Sequence, residues 1–199
     1  MENQKQVWNN IAQEWSEFKD EPAEGIVDFL KGQKGNILDL GSGSGRHLVK
    51  IKNGEIWLVD FSENMIKHAR EKSEKLKINA KLFVSDACEL PFGDNFFDGA
   101  ICISLLHCIE TQEKRGKVVE ELFRVLKSKA KTKISVWNKD SKRFKKSKKE
   151  IHVGWIDKGK RYYYLYEPEE IYALFEKAGF NIIEKVPPER NIIFIVEKP

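Results

Sequence analysis

The central part of the chain alternates between short apolar runs and longer amphipathic segments. Short apolar runs are typical of buried β-strands, whereas apolar residues three or four positions apart indicate helices with one buried face. The predicted strands are residues 37–40, 55–60, 81–84, 97–104 and 132–137. The predicted helices between them are residues 45–52, 62–75 and 112–127. This alternation predicts a doubly wound α/β fold with a mostly parallel sheet.

The two ends of the chain add further elements. Residues 4–20 place their apolar side chains on one helical face, and Pro22 favours the start of a second short helix that runs to residue 30. Near the other end, residues 168–178 form a predicted helix. Two predicted strands follow it, residues 180–184 and 191–196. Paired as a hairpin across Pro187 and Pro188, they complete a seven-stranded sheet whose last strand is antiparallel, at the edge.

Composition narrows the class of protein only slightly. The 199 residues carry 35 Lys and Arg against 31 Asp and Glu, a net charge of +4, which is weak support for an anionic partner. Cys88, Cys102 and Cys108 form no CxxC pair, so neither a disulfide framework nor a protein-held metal is expected, and Cys102 and Cys108 are interpreted as core thiols. No apolar run approaches the roughly 18 residues that span a bilayer. We expect a single cytoplasmic domain over residues 1–199 with no membrane association.

A glycine loop directly follows the first predicted strand. Gly41, Gly43 and Gly45 are spaced GxGxG, whereas the nicotinamide fingerprint is GxGxxG and a phosphate-binding P-loop is GxxxxGK[ST]. Each missing Cβ lets a ligand approach the backbone closely. Asp39, at the end of the strand, suits a ligand with an ammonium group and repels a pyrophosphate. The loop therefore fits S-adenosylmethionine better than a dinucleotide.

Two more acidic residues lie at the carboxyl ends of the next two predicted strands, Asp60 as the last residue of one and Asp86 just after the other. Asp60 is placed to accept hydrogen bonds from ribose hydroxyls, and Asp86 can accept one from an adenine amino group. The carboxyl ends of parallel strands form the crevice in which such sheets bind ligands, so the three acids are expected to meet there. The alternative interpretation is a tight turn with acids that only cap helices.

Several motifs resemble the class I methyltransferases that use S-adenosylmethionine. They are DLGSGSG (39–45), VDFSENMI (59–66), SDACELPF (85–92), FFDGAICISLLH (96–107) and ELFRVLK (121–127). The resemblance implies S-adenosylmethionine as cofactor, S-adenosylhomocysteine as product, and N-terminal helices over residues 1–33 that cover the cofactor. The implied contacts are Asp39 and Gly41 at the methionine end, Asp60 at the ribose, Asp86 and Ala87 at the adenine, Ile103, Ser104 and Leu105 beside the transferred methyl group, and Gly43, Gly45, Phe61 and Met65 elsewhere. Trp8 and Trp15 either cover the cofactor or simply pack the first helix.

Other segments resemble the tRNA methyltransferases that esterify 5-carboxymethyluridine at the wobble position. They are SLLHCIETQEKR (104–115), ISVWN (134–138), VGW (153–155) and RYYYLYEPEEIYALFEKAGF (161–180). The chain departs from that family where Ser128-Lys129-Ala130 replaces a Pro-Gly-Gly and where His107-Cys108 replaces a His-His pair. A carboxylate acceptor is ionised at neutral pH and needs no general base. The candidate substrate contacts are His107, Arg161, Tyr163, Arg46 and Arg115.

Some of these candidates have structural interpretations as well. His107 is either a substrate contact or a helix cap, and Arg161 either binds a carboxylate or phosphate or is a solvated strand residue. Tyr162, Tyr163, Tyr164 and Tyr166 could stack on unpaired bases, with two of the four expected in the core.

Basic residues concentrate in one stretch. Residues 127–149 contain eleven Lys and Arg, opposed only by Asp140, and residues 139–161 are interpreted as a basic insertion after the fifth strand. We expect this stretch to bind the tRNA anticodon loop through its phosphates, although a solvated loop would look the same. The resembling family also pairs with a small zinc-binding activator that adds a strand to the sheet. The strand over residues 81–84 is the expected edge, unless Lys77 and Lys81 alone protect it.

Two other functions stay open from the sequence. One is methylation of a small-molecule carboxylate or amine. The other is a non-catalytic domain that binds the cofactor and activates a separate subunit. The basic stretch favours RNA over a small metabolite, and the three acids favour catalysis over a non-catalytic role.

Overall fold

The computed structural model describes residues 2–199. Its strands are β1 (Lys34–Leu40), β2 (Lys52–Asp60), β3 (Ala80–Val84), β4 (Phe97–Ile103), β5 (Leu126–Trp137), β6 (Glu150–Gly154), β7 (Lys160–Tyr164), β8 (Asn181–Lys185) and β9 (Asn191–Glu197). Its α-helices are α1 (Gln4–Phe18), α2 (Ile26–Lys31), α3 (Glu63–Leu76), α4 (Gln112–Val125) and α5 (Pro168–Lys177). A 3-10 turn, Leu106–Cys108, follows β4.

Seven strands form one sheet in the order β3–β2–β1–β4–β5–β9–β8. Strands β1 to β5 pair in parallel. The last strand, β9, runs antiparallel to both β5 and β8, and the predicted hairpin is present. The predicted fold class is therefore confirmed. Because β9 lies between β5 and β8, the edge strands of the sheet are β3 and β8.

Apolar residues on both faces of the sheet build the core. Leu122 of α4 and Phe175 of α5 are fully buried in the cluster on one face, together with Ile134 of β5. Leu30 of α2 and Ala69 of α3 are fully buried in the cluster on the other face. Burial of each large side chain contributes about 1.5–3 kcal/mol. Helices on both faces of a mostly parallel sheet leave its carboxyl-terminal edge open for a site.

A buried carboxylate connects α4 to the segment that precedes β4. Glu121 Oε2 accepts a hydrogen bond from the backbone N–H of Leu90 at 2.8 Å and from Arg124 Nη2 at 2.7 Å. Its other oxygen accepts from Arg124 Nε at 2.9 Å. Arg124 lowers the pKa of Glu121, so this carboxyl is ionised at neutral pH.

Strands β6 and β7 form a separate two-stranded antiparallel sheet, a hairpin that the sequence interpretation did not include. Helix α1 is attached to it by Gln4, whose side chain donates to the carbonyl of Lys160 at 3.2 Å and accepts from the N–H of Tyr162 at 2.9 Å. On its other side, α1 contacts α3 through Asn9, which accepts from the hydroxyl of Ser62 at 2.6 Å. The helix therefore spans from the hairpin to the main sheet.

One predicted helix is wrong, and another begins later than predicted. Residues 45–52 form no helix: hydrogen-bonded turns cover residues 43–47, and β2 already begins at Lys52. Positive φ angles at Gly43 and Gly45, 54° and 76°, are incompatible with a right-handed helix start, and too few residues remain before β2. The second helix begins at Ile26 after a left-handed Gly25, not at Pro22. Among residues 2–199, no helix combines the length and apolarity needed to cross a bilayer.

Candidate active site

A cavity that opens to solvent lies at the carboxyl ends of β1 to β4. The glycine loop forms one wall and α1 covers the cavity with Trp8 and Trp15, which agrees with their interpretation as cofactor-covering residues. Ten of the twelve predicted cofactor contacts line it. They are Gly41, Gly43, Asp60, Phe61, Met65, Asp86, Ala87, Ile103, Ser104 and Leu105.

The glycine loop is tight because three of its residues have left-handed backbones. A Cβ on Gly41, where φ is 73°, would lie 2.8 Å from the Cβ of Leu105. A Cβ on Gly43, where φ is 54°, would meet no protein atom within 4 Å. The loop therefore packs against the β4 segment at Gly41 and leaves open space beside Gly43, which suits close approach of a ligand.

Asp60 ends β2 inside the cavity. Its Oδ2 accepts from the N–H of Gly43 at 2.9 Å, and its Oδ1 accepts from the N–H of Ser62 at 3.0 Å. Each oxygen keeps a second lone pair for a ligand hydroxyl. Burial raises the pKa of Asp60 to about 6, while the two N–H donors oppose that rise. The carboxyl is thus mostly ionised at neutral pH and is placed for a ribose diol.

Asp39 and Gly45 do not line the cavity but lie directly behind the loop. Asp39 is 1% exposed, and its Oδ2 has no hydrogen-bond partner in residues 2–199. His47 Nδ1 lies 3.8 Å from this oxygen, within ion-pair distance. A Cβ on Gly45 would lie 2.9 Å from Leu48 Cδ1. Asp39 therefore supplies negative charge beneath the loop, and Gly45 allows the loop to pack on α3.

Asp86 is exposed on the opposite wall. One of its oxygens accepts from the N–H of Cys88 at 2.9 Å, which orients the carboxylate at the end of β3. Ala87 beside it is 8% exposed and contributes an apolar surface. Together they offer an acceptor and a small apolar contact, as an adenine ring requires.

The segment after β4 carries backbone strain. Ser104 has a φ of 64°, an uncommon value for a non-glycine residue, and its carbonyl accepts from Cys108 Sγ at 3.4 Å. Such outliers persist where the surrounding structure holds them, often at functional sites. Burial raises the pKa of Cys108, which lines the cavity, so this group is a neutral thiol. Cys102 is 1% exposed in the core, as predicted.

His107 is buried one residue before Cys108 and does not line the cavity. Its Nδ1 accepts from the N–H of Trp137 at 3.1 Å, and its ring stacks on that indole with 4.9 Å between centroids. Burial lowers the pKa of His107 to about 3. The imidazole is therefore neutral, with its proton on Nε2, and is not a proton acceptor near neutral pH.

Arg161 is 5% exposed and surrounded by aromatic rings. Its guanidinium carbon lies 4.9 to 5.8 Å from the ring centroids of Trp8, Trp15, Trp155 and Tyr163. No hydrogen bond or ion pair to its guanidinium is present within residues 2–199, and its Nε is buried without a partner. Since Trp8 and Trp15 also line the cavity, a charged and unpaired donor lies beside the site. The solvated interpretation of Arg161 is wrong.

Tyr163 stacks on Trp137 at 4.2 Å between centroids and is 2% exposed. Tyr162, Tyr164 and Tyr166 are 2%, 8% and 2% exposed. The expectation that two of the four tyrosines offer open stacking faces is therefore wrong. On one face of β7, Tyr163 stacks on Trp137 at the end of β5, and on the other face Tyr164 contacts Arg115 of α4 and Glu170 of α5, so alternate residues on both faces are covered.

Arg115 lies away from the cavity lining. Its Nη1 donates to the carbonyl of Ile109 at 2.9 Å, and its guanidinium lies 3.8 Å from the ring centroid of Tyr164. It holds the loop that carries Ile109, which does line the cavity. The structure thus places Arg115 as a positioning residue and leaves Arg46, which lines the cavity, as a direct candidate.

The basic stretch is divided by the sheet. Lys127 lies at the start of β5, at the end opposite the cavity, and pairs with Asp98 at 2.7 Å. Lys149 pairs with Glu170 at 2.9 Å. The expectation that all of residues 127–149 emerge at the site is therefore wrong. The part after β5 is not a loose loop either, since Phe144, 4% exposed, stacks on Trp137 at 4.9 Å between centroids.

Positive charge gathers at the cavity mouth. Lys19 lines the cavity, and burial lowers its pKa, with Arg46, Arg190 and Arg143 as further causes. These four cations come from the end of α1, the glycine loop, the β8–β9 turn and the segment after β5. The field at the mouth favours an anionic ligand.

Sequence reasoning missed several lining residues. Ser42 and Ser44 alternate with the glycines, so the loop spacing itself could have indicated them. Lys19, Ile109 and the aromatic neighbour Trp155 come from distant elements; the last two lie in the quoted motifs 104–115 and 153–155, but no role was assigned to them.

These residues fit S-adenosylmethionine. The open space at Gly43 lets a ligand lie close to the backbone, and Asp60 and Asp86 offer acceptors for a ribose diol and an adenine amino group. The unpartnered oxygen of Asp39 suits the positive charge of such a ligand. When bound, S-adenosylmethionine supplies a methyl group on a positively charged sulfur, which passes directly to an aligned nucleophile.

Comparison with known proteins indicates the same class of domain. The family described as "Methyltransferase domain" matches residues 37–129. A tRNA (carboxymethyluridine(34)-5-O)-methyltransferase of Xenopus tropicalis is 33% identical over 144 residues, which cover 71% of this chain and 22% of that protein. The chain thus spans about a fifth of that relative's length. The enzyme of the same name from Schizosaccharomyces pombe is 25% identical, with 97% of this chain and 95% of that protein covered.

Solved structures share the fold. A chain from the complex between the Haloferax volcanii Trm112 methyltransferase activator and a methyltransferase aligns with a TM-score of 0.76 at 16% identity, covering 98% of this chain and 96% of that one. The CcbJ methyltransferase from Streptomyces caelestis aligns with a TM-score of 0.79 at 14% identity, covering 98% and 99%. The glycine loop, the three acids and the match over residues 37–129 identify a methyltransferase domain that uses S-adenosylmethionine.

Proposed function

We propose that the chain methylates the carboxylate of 5-carboxymethyluridine at the wobble position of tRNA. The observation that carries this proposal is Arg161, a buried guanidinium beside the cavity with no carboxylate partner in residues 2–199. A buried charge is costly unless it is paired. A planar substrate carboxylate can accept two parallel hydrogen bonds from a guanidinium and supplies the missing charge.

The groups beside the expected methyl position also suit a carboxylate acceptor. Burial lowers the pKa of His107 to about 3 and raises the pKa values of Cys108 and Tyr163. None of the three is a proton acceptor at neutral pH. A carboxylate loses no proton on methylation and needs no base from these three groups, whereas a protonated amine would first have to be deprotonated.

The positively charged side chains near the opening of the cavity suit contacts to RNA. Lys19 and Arg46 line the cavity, and Arg143 and Arg190 lie close enough to Lys19 to lower its pKa, so these four cations match an anionic backbone. The relatives from Xenopus tropicalis and Schizosaccharomyces pombe are named for the carboxymethyluridine reaction, which supports the same substrate. A small metabolite would not need cations spread over four elements.

We also propose that a small zinc-binding activator adds a strand beside β3. Among the described residues β3 pairs only with β2, and half-buried Phe83 stacks on Trp57 at 5.5 Å between centroids just behind this edge. Lys81 pairs with Glu55 at 3.3 Å and leaves the apolar edge accessible. The structure from the Haloferax volcanii activator complex supports such a partner. Hydrogen exchange should show β3 amides protected by the activator, with β8 unchanged as the internal control.

Methyl transfer from labelled cofactor to bulk tRNA tests the main proposal. The reaction should be run with and without the activator and followed by nucleoside analysis. We expect an alkali-labile label on a wobble uridine, because esters hydrolyse in alkali and methylated bases or amines do not. Label that resists alkali, or label found only on small molecules, would contradict the proposed reaction.

A further inference from the structure

An exposed apolar patch lies beside the cavity mouth, formed by the end of α1 and the tip of the β6–β7 hairpin. Phe18 is 63% exposed and Ile156 is 78% exposed. The ring of Phe18 lies 5.4 Å from that of Trp155, between centroids, and 6.2 Å from that of Trp15, which lines the cavity. We call Phe18, Trp155 and Ile156 the rim patch.

The rim patch is coupled to positive charge. The ammonium of Lys19 lies 4.9 Å from the ring centroid of Phe18, and Lys19 itself lines the cavity. Arg143 and Arg190 lie close enough to lower the pKa of Lys19 further. An aromatic face next to several cations is what an unpaired nucleotide requires, since its base stacks while its phosphate is neutralised.

Other features of the molecule do not serve this role. The tyrosines of β7 are buried, and the rings of Trp57 and Phe83 lie at the opposite, β3 side of the sheet. Apart from Phe18, the large apolar residues exposed within residues 2–199 are aliphatic. Phe18 is therefore the exposed ring that borders both the cavity and the cations.

We infer that Phe18 stacks on an unpaired base next to the modified nucleotide, and that Lys19 binds a neighbouring phosphate. This inference rests on the proposed RNA substrate and assigns the rim patch to single-stranded RNA rather than to a protein. The stacked base would hold the loop while the target base enters the cavity. Phe18 is thus a substrate-binding residue outside the cofactor site.

The test uses an anticodon stem-loop with 2-aminopurine beside the target uridine, added to the full chain with S-adenosylhomocysteine and the activator. Stacking quenches 2-aminopurine fluorescence, so the wild type should quench the probe on binding. Phe18→Ala should abolish most of the quench and weaken binding at least about fivefold, since the variant loses an aromatic ring on which a base stacks. Phe18→Trp should restore both.

Leu76→Ala is the matched control, because Leu76 is 47% exposed in the last turn of α3, at the opposite end of the sheet. It should change neither quench nor affinity, and thermal unfolding should be similar for all variants. Equal quench and affinity for wild type and Phe18→Ala would overturn the inference. So would a Phe18→Ala variant that lost only its binding to the activator, because the rim patch would then contact a protein instead of RNA. If the stem-loop binds through Phe18 but receives no methyl group, the proposed reaction fails while the stacking role stands.

Discussion

Replacement of Arg161 should lower methylation activity strongly while it leaves the stability of the fold nearly unchanged. If the guanidinium donates two charge-assisted hydrogen bonds to the substrate carboxylate, at about 1.5–3 kcal/mol each, Arg161→Met loses about 3–6 kcal/mol of binding. That corresponds to a fall in kcat/KM for tRNA of roughly 10²- to 10⁴-fold. Arg161→Lys keeps the positive charge but not the planar pair of N–H donors, so its kcat/KM should lie between those of the wild type and Arg161→Met.

The same change should barely affect folding. Contacts of the guanidinium with surrounding rings contribute about 0.5–2 kcal/mol each. Burial of an unpaired charge costs several kcal/mol, which offsets them. We therefore expect the free energy of unfolding of Arg161→Met to stay within about 1–2 kcal/mol of wild type.

The assay is tRNA methylation at varied tRNA and cofactor concentrations, with chemical denaturation of each variant in parallel. Arg70→Met, which removes an exposed arginine from α3, is the control and should leave both quantities unchanged. S-adenosylhomocysteine affinity should be preserved in all of them. If Arg161→Met methylated tRNA at the wild-type rate, the carboxylate-binding role would be refuted.

Three further changes test the cofactor site and the scaffold. Gly43→Ala places a Cβ in the open space of the cavity, so it should weaken the binding of S-adenosylhomocysteine measured by calorimetry. Because the φ of residue 43 is 54°, the same change should lower the free energy of unfolding by about 1–2 kcal/mol. Gly93→Ala, whose Cβ also meets open space but at a residue without positive φ, should have neither effect. The pKa of Asp60 is raised to about 6, and hydrogen bonds from the ribose hydroxyls favour its ionised form. The affinity for S-adenosylhomocysteine should therefore fall by up to about tenfold per pH unit below pH 6, and Asp60→Asn should remove this pH dependence. A wild-type affinity that stays constant from about pH 5 to 7.5 would contradict this role of Asp60. Glu121→Ala leaves the buried N–H of Leu90 without its acceptor and removes one of the two carboxylates that pair with Arg124, so it should lower the free energy of unfolding by about 2–3 kcal/mol. Glu120→Ala, at an exposed position of the same helix, should change it little, and similar values for the two variants would contradict the role assigned to Glu121.

The cofactor site could be predicted from the sequence because its determinants are local. Asp39, Asp60 and Asp86 each lie at or just past the carboxyl end of a strand, and parallel strands bring these ends to the same edge. The glycine spacing likewise specifies a tight loop without tertiary information. Ten of twelve predicted contacts accordingly line the cavity, and Asp39 and Gly45 lie directly behind it.

The substrate side could not be predicted as well, because it depends on packing between distant segments. The pattern around Tyr163 could not show that both faces of β7 are covered, and Arg161 gains its unpaired position only when α1 and the hairpin meet around it. The helix predicted over residues 45–52 failed for a different reason, since left-handed glycines and the early start of β2 left no room for it.

The account depends most on one property, the binding of an adenosyl ligand between the glycine loop and Asp60. Isothermal titration of the chain with S-adenosylhomocysteine near neutral pH measures it directly. The account predicts saturable binding of one ligand per chain, abolished in Asp60→Ala while the fold is retained. Absence of binding heat by the wild type, both alone and with the activator, would contradict it.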